Sequence, residues 1–149
     1  MTTPIPRYTG PRGLAESLSA FARAGAPDAR WNREGLRDDS EYRDLGLAAA
    51  TGGRIGAKHI RALKPMPAPT GWHWHDMTAH YVYVLHGSLT FRFGGVEGDV
   101  TLNAGDGLSQ PAGVPHNVVA RSDDLEVIEI NEPAEYGTWD LAEPPAPWR

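Results

Sequence analysis

Four of the six histidines lie in two short segments, and their spacing could place them around one metal ion. His73 and His75 alternate in GWHWHD, His80 begins the next apolar run, and His116 follows the turn-forming QPAGVP. Side chains two residues apart on a β-strand leave the same face, about 7 Å apart along the chain. Imidazole binds divalent transition metals, with metal–nitrogen bonds of roughly 2.0–2.1 Å for zinc. The four residues therefore predict a metal site built across several strands.

A lone histidine in a soluble domain is usually a surface group or a hydrogen-bonding partner. His59 and His86 are interpreted in that way first, whereas the other four are interpreted as ligands because of their combined spacing. The ligands do not identify the ion, because imidazole suits several transition metals, so Fe, Ni, Zn, Mn and Cu all remain candidates. A vestigial site that binds no metal is the alternative.

The first segment resembles the first motif of the cupin superfamily, in which a glycine, a His-x-His pair, a glutamate and a second glycine have fixed spacing. Here His73 and His75 form the pair, and Gly87 is the closing glycine. Pro67 replaces the opening glycine, and His80 replaces the glutamate. Four neutral imidazoles would leave a divalent ion at +2, where a carboxylate ligand would leave +1. We therefore expect a site that attracts anions.

The second segment resembles the second cupin motif at Gly105, Pro111, Gly113 and His116. Ala120 stands where that motif has its terminal asparagine. The resemblance covers about residues 55–135 and is closest to small single-domain bacterial cupins. It implies an all-β fold, the double-stranded β-helix or jelly-roll barrel, and it also implies a homodimer.

Recurring short strands predict an all-β fold from the pattern alone. From Tyr42 onward, apolar or alternating stretches recur about every ten residues between Gly, Pro, Asn and Asp. This number of closely spaced strands suits a jelly roll. Strands are predicted at 45–50, 55–64, 71–76, 79–86, 88–94, 97–102, 106–110, 115–121 and 124–131.

The 149 residues are expected to form one domain with two extensions. Residues 1–44 are predicted to be an N-terminal arm, with a short amphipathic helix over 14–24. Residues 45–135 are predicted to form the barrel, and 136–149 a C-terminal strap.

Composition excludes several classes of protein. The chain has no cysteine, so thiolate nucleophiles, disulfide scaffolds and zinc fingers are excluded. A net charge of −5 argues against a nucleic-acid or anionic-membrane partner. The N-terminal segment does not resemble a secretory signal, and no apolar run is long enough to span a membrane. We therefore expect a cytoplasmic location.

Other residues are candidates for the chemistry around the metal or for hydrogen bonds to the histidines that hold it. They are His59, Arg61, Tyr83, Phe91, Gln110 and Glu129. His59, Tyr83 and Glu129 are the candidate bases, and Gln110 directly precedes the turn that leads to His116. The alternative is that all of them are ordinary strand residues.

Two functions remain open. The first is a metal-dependent cupin enzyme, of dioxygenase, isomerase or lyase type, acting on an anionic or enolisable oxygen-containing substrate. The second is a non-catalytic small-ligand binding or sensor cupin with a structural metal. Four protein ligands would close a tetrahedral zinc site, whereas an octahedral ion would keep two positions free. No cofactor other than the metal is expected.

A homodimer is the expected assembly. The contact is predicted to use the N-terminal arm and one exposed face that carries Trp72, Trp74, Tyr81 and Tyr83.

Overall fold

The computed structural model describes residues 20–149 as an all-β fold, which confirms the predicted fold class. The strands are β1 (Ser40–Asp44), β2 (Gly56–Ala62), β3 (Trp72–His75), β4 (Ala79–His86), β5 (Ser88–Phe93), β6 (Asp99–Asn103), β7 (Gly107–Gln110), β8 (His116–Arg121), β9 (Glu126–Glu132) and β10 (Thr138–Leu141). One α-helical turn, α1 (Leu47–Ala50), and one 3-10 turn (Ala26–Asp28) complete the described part. Neither helical segment within residues 20–149 is long and apolar enough to cross a membrane.

The strands form two five-stranded sheets that face each other. The first sheet has the order β1-β2-β9-β4-β7, and the second has the order β10-β3-β8-β5-β6. Every pairing is antiparallel. The jelly-roll expectation is therefore met by two sheets that enclose one interior.

Strand β4 shows how alternation sorts the side chains. His80, Val82 and Val84 are buried between the sheets, whereas Tyr81 and Tyr83 are exposed on the outer face. This is the two-residue period of a half-buried strand. The apolar part of the interior is formed by Val82, Val84, Leu89, Phe91, Phe93, Leu102, Leu125 and Val127.

The strand predicted at 45–50 is wrong. Strand β1 ends at Asp44, Gly46 adopts a positive φ of 84°, and the alanine-rich Leu47–Ala50 forms α1. Alanine favours helix over strand, and the left-handed glycine ends the extended backbone before it.

Both predicted extensions contribute strands. Within the predicted arm, β1 pairs with β2, and within the predicted strap, β10 pairs with β3. Residues 20–24 of the predicted helix are not helical, and its residues 14–19 lie outside the described part. The two sheets thus extend beyond 45–135 at both ends.

The aromatic residues of the expected dimer contact do not share one face. Trp72 and Trp74 belong to β3 in the second sheet, whereas Tyr81 and Tyr83 belong to β4 in the first. Trp74 instead stacks on Trp139 of β10, with ring centroids 4.6 Å apart. The homodimer itself stays a prediction.

Candidate metal centre and its cavity

Three of the four predicted ligands converge. His73 and His75 on β3 and His116 on β8 are each only 3–5% exposed. One ring nitrogen from each lies within 4.8 Å of the other two. The pairing of β3 with β8 places His73 opposite His116, and their ring centroids are 4.4 Å apart. These three residues, called the histidine trio below, could hold one metal ion.

Backbone carbonyls fix the tautomer of two members of the trio. His73 Nδ1 lies 2.9 Å from the carbonyl oxygen of Gly71, and His116 Nδ1 lies 2.9 Å from that of Val114. A carbonyl oxygen only accepts, so each Nδ1 carries the hydrogen and each Nε2 keeps its lone pair. This is the arrangement in which imidazole ligates a metal through Nε2.

The third member is oriented by a strand that the sequence did not predict. His75 Nδ1 lies 2.8 Å from Thr138 Oγ1, and Thr138 begins β10 directly opposite His75. A hydroxyl both donates and accepts, so Thr138 does not fix the tautomer as a carbonyl does. No local pattern in the predicted strap indicated this residue.

A tight turn directly before β8 positions the His116 ring. Val114 donates its N–H to the carbonyl of Pro111, and Gly113 between them has a φ of 75°. Glycine adopts this conformation without steric cost. The proline and glycine of the second motif therefore position His116.

Burial keeps the trio neutral. It lowers the pKa of His73, lowers that of His75 to about 4, and lowers that of His116 to about 3. Desolvation disfavours the charged imidazolium, and the neighbouring histidines add repulsion. Neutral imidazole is the form that binds a metal, so the trio is ready for one at pH 7.

His80 lies close to the trio but is set back from it. Its ring centroid is 5.7 Å from that of His75 and 6.0 Å from that of His116, whereas centroids within the trio are 4.4–5.1 Å apart. Its Nε2 is 3.1 Å from a carboxylate oxygen of Glu129 on β9. His80 therefore links the trio to a carboxylate.

Glu129 faces the interior beside His80. Burial raises the pKa of this carboxyl, but the hydrogen bond from His80 and the charges of His80 and Lys58 more than offset that effect. The pKa of Glu129 consequently lies below its ordinary value, which favours the carboxylate. The predicted ligand set contains no carboxylate, but Glu129, one of the candidate bases, places a carboxylate beside His80.

Tyr136 completes this side of the site. Its hydroxyl lies 3.5 Å from the second carboxylate oxygen of Glu129, and its ring centroid is 5.1 Å from that of His75. Burial and the charge of Glu129 raise its pKa, so Tyr136 keeps its proton. The sequence offered no motif that singled it out.

Gln110 approaches the same pair from the edge of the first sheet. Its backbone pairs with His80, and its Nε2 lies 3.5 Å from His80 Nε2. The amide oxygen of Gln110 is buried and has no hydrogen-bond partner among the described residues. It therefore remains available to a ligand.

Two of the candidate bases lie outside the cavity. His59 faces the outer side of β2, where its Nε2 is 2.8 Å from a carboxylate oxygen of Glu126. Tyr83 is 39% exposed on the outer side of β4. Arg61 pairs with Glu41 rather than facing the interior. These placements remove all three from the proposed site, whereas Phe91, Gln110 and Glu129 line the cavity.

The cavity has a volume of about 610 Å³, which is within the range of small-molecule sites. The trio, His80 and Glu129 lie on its wall. Its apolar surface includes Ile60, Val82, Leu89, Phe91 and Val118. Three cationic side chains of the described residues also line it: Arg37, Lys58 and Arg121.

Residues 61–131 match the family model described as Cupin domain. They comprise strands β3 to β8 and nearly all of β9, and they include every residue of the trio. This chain carries a cupin domain. No curated protein sequence matches the chain significantly.

Solved structures share the fold of this cupin at low sequence identity. The polyketide cyclase RemF from Streptomyces resistomycificus is 20% identical with a TM-score of 0.62, over 85% of this chain and 89% of RemF. KdgF from Halomonas sp. is 18% identical with a TM-score of 0.60, over 76% of this chain and 96% of KdgF.

A mutant of the oxalate decarboxylase OxdC from Bacillus subtilis is 20% identical with a TM-score of 0.59. The match covers 95% of this cupin but only 40% of OxdC. OxdC is described with Mn(II) centres.

Proposed function

We propose that this cupin is a metal-dependent enzyme that acts on a small anionic or enolisable oxygen-containing substrate. The observation that carries the proposal is the histidine trio, whose neutral, buried rings open onto a cavity of about 610 Å³. A set of neutral imidazoles suits Fe, Ni, Zn, Mn or Cu. The donor set thus fits one divalent transition metal.

His73, His75 and His116 would hold the ion through Nε2, because their Nδ1 atoms are engaged elsewhere. His80 would be the fourth ligand, as its place in the first cupin motif implies. The bound metal would supply Lewis-acid polarisation of a substrate oxygen. Thr138 and the carbonyls of Gly71 and Val114 would hold the rings in place.

Glu129 is the group best placed to take a proton from the substrate. Its lowered pKa keeps it ionised at pH 7, and it lines the cavity beside His80. Gln110 would bind a substrate hydroxyl through its unpartnered amide oxygen. A base beside a polarised oxygen suits isomerase and lyase steps, both of which move a proton next to a carbonyl.

The apolar wall would exclude water around this proton transfer. Phe91 and Val118 line the cavity within the same sheet as His116. Interactions between charges are stronger where water is excluded, so the wall strengthens the hold of the site on an anion.

The shared fold with named enzymes supports the proposal. OxdC is a decarboxylase with Mn(II) centres, and RemF is a polyketide cyclase. Both show that this fold accommodates enzymes, although the low identity leaves the substrate of this cupin to experiment.

The proposal is tested by loading metal-stripped protein with Mn, Fe, Ni, Cu or Zn. Stoichiometry and coordination number are measured by elemental analysis and X-ray absorption, and turnover is followed with diketones, aromatic hydroxyketones and dicarboxylates. We expect one ion per chain, an exchangeable water, and turnover that is lost in His116→Ala but kept in His86→Ala.

Two outcomes would contradict the proposal. Absence of metal after reconstitution would indicate a vestigial site. A four-coordinate zinc without exchangeable water, together with no turnover of any compound, would indicate the non-catalytic binding module instead.

A further inference from the structure

Two arginines line the cavity, and one of them is fully engaged by the protein. Arg121 on β8 lies 3.1 Å from a carboxylate oxygen of Asp39, and it donates to the carbonyl of Lys64 at 2.9 Å. The side chains of Arg121 and Asp39 are only 5% and 8% exposed. Arg121 is therefore a structural cation that ties the segment before β1 to the second sheet.

Arg37 differs from Arg121 in having no acidic partner in the part of the chain that the structure describes. Within residues 20–149, no carboxylate lies within ion-pair distance of its guanidinium. It nevertheless lines the same cavity as the trio, and its charge contributes to the lowered pKa of His73. A half-buried cation in this position is available to a ligand.

The segment that carries Arg37 is held on both sides. The backbone N–H of Arg37 donates to the Tyr42 hydroxyl at 2.9 Å, and Asp39 two residues later makes the buried ion pair with Arg121. Gly35, two residues earlier, lies against the Tyr42 ring, where a Cβ would collide with it. These contacts hold the backbone at Arg37 before any ligand arrives, so only the side chain has to be ordered on binding.

Lys58, the third cation of the cavity, already interacts with Glu129 and Tyr136. Lys58 on β2 stands opposite Glu129 of β9 in the strand register, and its Nζ lies 5.4 Å from the centroid of the Tyr136 ring. Its charge helps to keep Glu129 ionised. Among the cavity cations of residues 20–149, Arg37 is thus the one that is left for an additional anionic group.

We propose that Arg37 binds a carboxylate of the substrate while a second oxygen-containing group of the same molecule lies at the histidine trio. This assignment, which rests on the proposed function, makes dicarboxylates and related dianions the substrate class. The guanidinium presents paired N–H donors that match a carboxylate in a bidentate fork. The metal ion and Arg37 would each lie beside one of the two negatively charged groups.

The test is calorimetric and needs no turnover. Metal-loaded protein is titrated with the dicarboxylates from malonate to adipate, and with the monocarboxylates of matched length. We expect one dicarboxylate length to bind at least about tenfold more tightly than its monocarboxylate, the gain typical of a charge-assisted hydrogen bond. Arg37→Gln is expected to abolish that gain.

Arg33→Gln is the matched control, because Arg33 is exposed on the same segment and does not line the cavity. It changes the net charge equally and should keep the gain. Arg37→Lys, which keeps the charge but loses the fork, should lose part of it. If Arg37→Gln does not fold, the gain in dicarboxylate binding is compared between the parent and Arg37→Lys.

The proposal is overturned if no dicarboxylate length shows a gain, if Arg37→Gln keeps the gain, or if Arg33→Gln loses it equally. Titration of metal-free protein separates this inference from the proposed function. There, Arg37→Gln should still weaken dicarboxylate binding even if the chain never binds a metal. Equal dicarboxylate binding by the metal-free parent and Arg37→Gln would overturn the assignment of Arg37.

Discussion

Two histidine–glutamate pairs attach β9 to its neighbours in the first sheet, and they lie on opposite faces. His80 and Glu129 form the inner pair, with 3.1 Å between nitrogen and oxygen, and His59 and Glu126 form the outer pair at 2.8 Å. Their residue types and their geometry are nearly the same. The inner pair lines the cavity beside the histidine trio, whereas the outer pair does not.

Because the residue types are the same, the face of the sheet on which a pair lies determines whether it can take part in the site. Glu129 and Glu126 are three residues apart on one strand, so alternation turns them to opposite sides. On the outer side, the His59 ring packs edge-on against Trp31, and the pair lies outside the cavity, where it has no part in the site. On the inner side, burial and neighbouring charges give the carboxylate a role in the site.

The largest expected effect is a difference in kcat between variants of Glu129 and Glu126. Glu129→Gln should lower kcat by about 10²- to 10⁴-fold, the usual contribution of a general base, when both proteins are assayed at saturating metal. Glu126→Gln, the matched change on the outer face, should leave kcat within about twofold of the parent. Equal losses of kcat in both variants would contradict a special role for the inner pair, because a common structural effect would then explain them.

A second prediction concerns metal affinity. His116→Ala should weaken binding more than 100-fold, since loss of a partner outside the ligand set already costs about 10- to 100-fold. His86→Ala, which changes an exposed histidine of β4, should have no effect. Chelator competition measures both constants, and similar affinities in the two variants would exclude the trio as the site.

The pH dependence of stability tests the burial of the trio. In the folded chain, burial lowers the pKa of His75 from 6.5 to about 4 and that of His116 to about 3. Between pH 6.5 and 4 the unfolded chain therefore binds more protons than the folded one, and the free energy of unfolding falls as pH falls.

For metal-free protein we expect a loss of about 5 kcal/mol over that window in urea unfolding, because each of the two histidines contributes about half of it. His116→Gln should reduce the slope, because one of the depressed groups is gone. A free energy of unfolding that stays constant from pH 6.5 to 4 would contradict the burial that the structure shows.

Thr138 provides a smaller test of how the inner rings are oriented. Thr138→Val keeps the shape of the side chain but removes the hydroxyl that contacts His75 Nδ1. Metal affinity should fall about tenfold, the lower end for such partners. Thr101→Val on exposed β6 is the control, and an unchanged affinity in Thr138→Val would show that His75 needs no such support.

The smallest effect is expected for the outer pair itself. His59→Gln should lower the free energy of unfolding by about 1 kcal/mol, the usual worth of one hydrogen bond, because glutamine can still reach Glu126 but loses the ring contact with Trp31. It should not alter metal content, because His59 does not line the cavity. Loss of metal in this variant would restore His59 to the candidates that the sequence suggested.

Local patterns predicted much of the fold. Alternation predicted β4 at Ala79–His86 with its bounds, and the second motif predicted the turn that delivers His116. The same approach failed at 45–50, where a glycine and three alanines follow a strand that ends early. It also missed β10, because a four-residue strand at an edge has too short a pattern to be recognised.

By itself the sequence determined the strands from β2 to β9, the inward face of β4, and that His73, His75 and His116 could meet. These properties follow from two-residue alternation and from turn residues, which act over a few positions. Only the tertiary structure decided which partners complete the site. Glu129 lies 49 residues from His80, and Thr138 lies 63 residues from His75, and the antiparallel register alone brings each pair together.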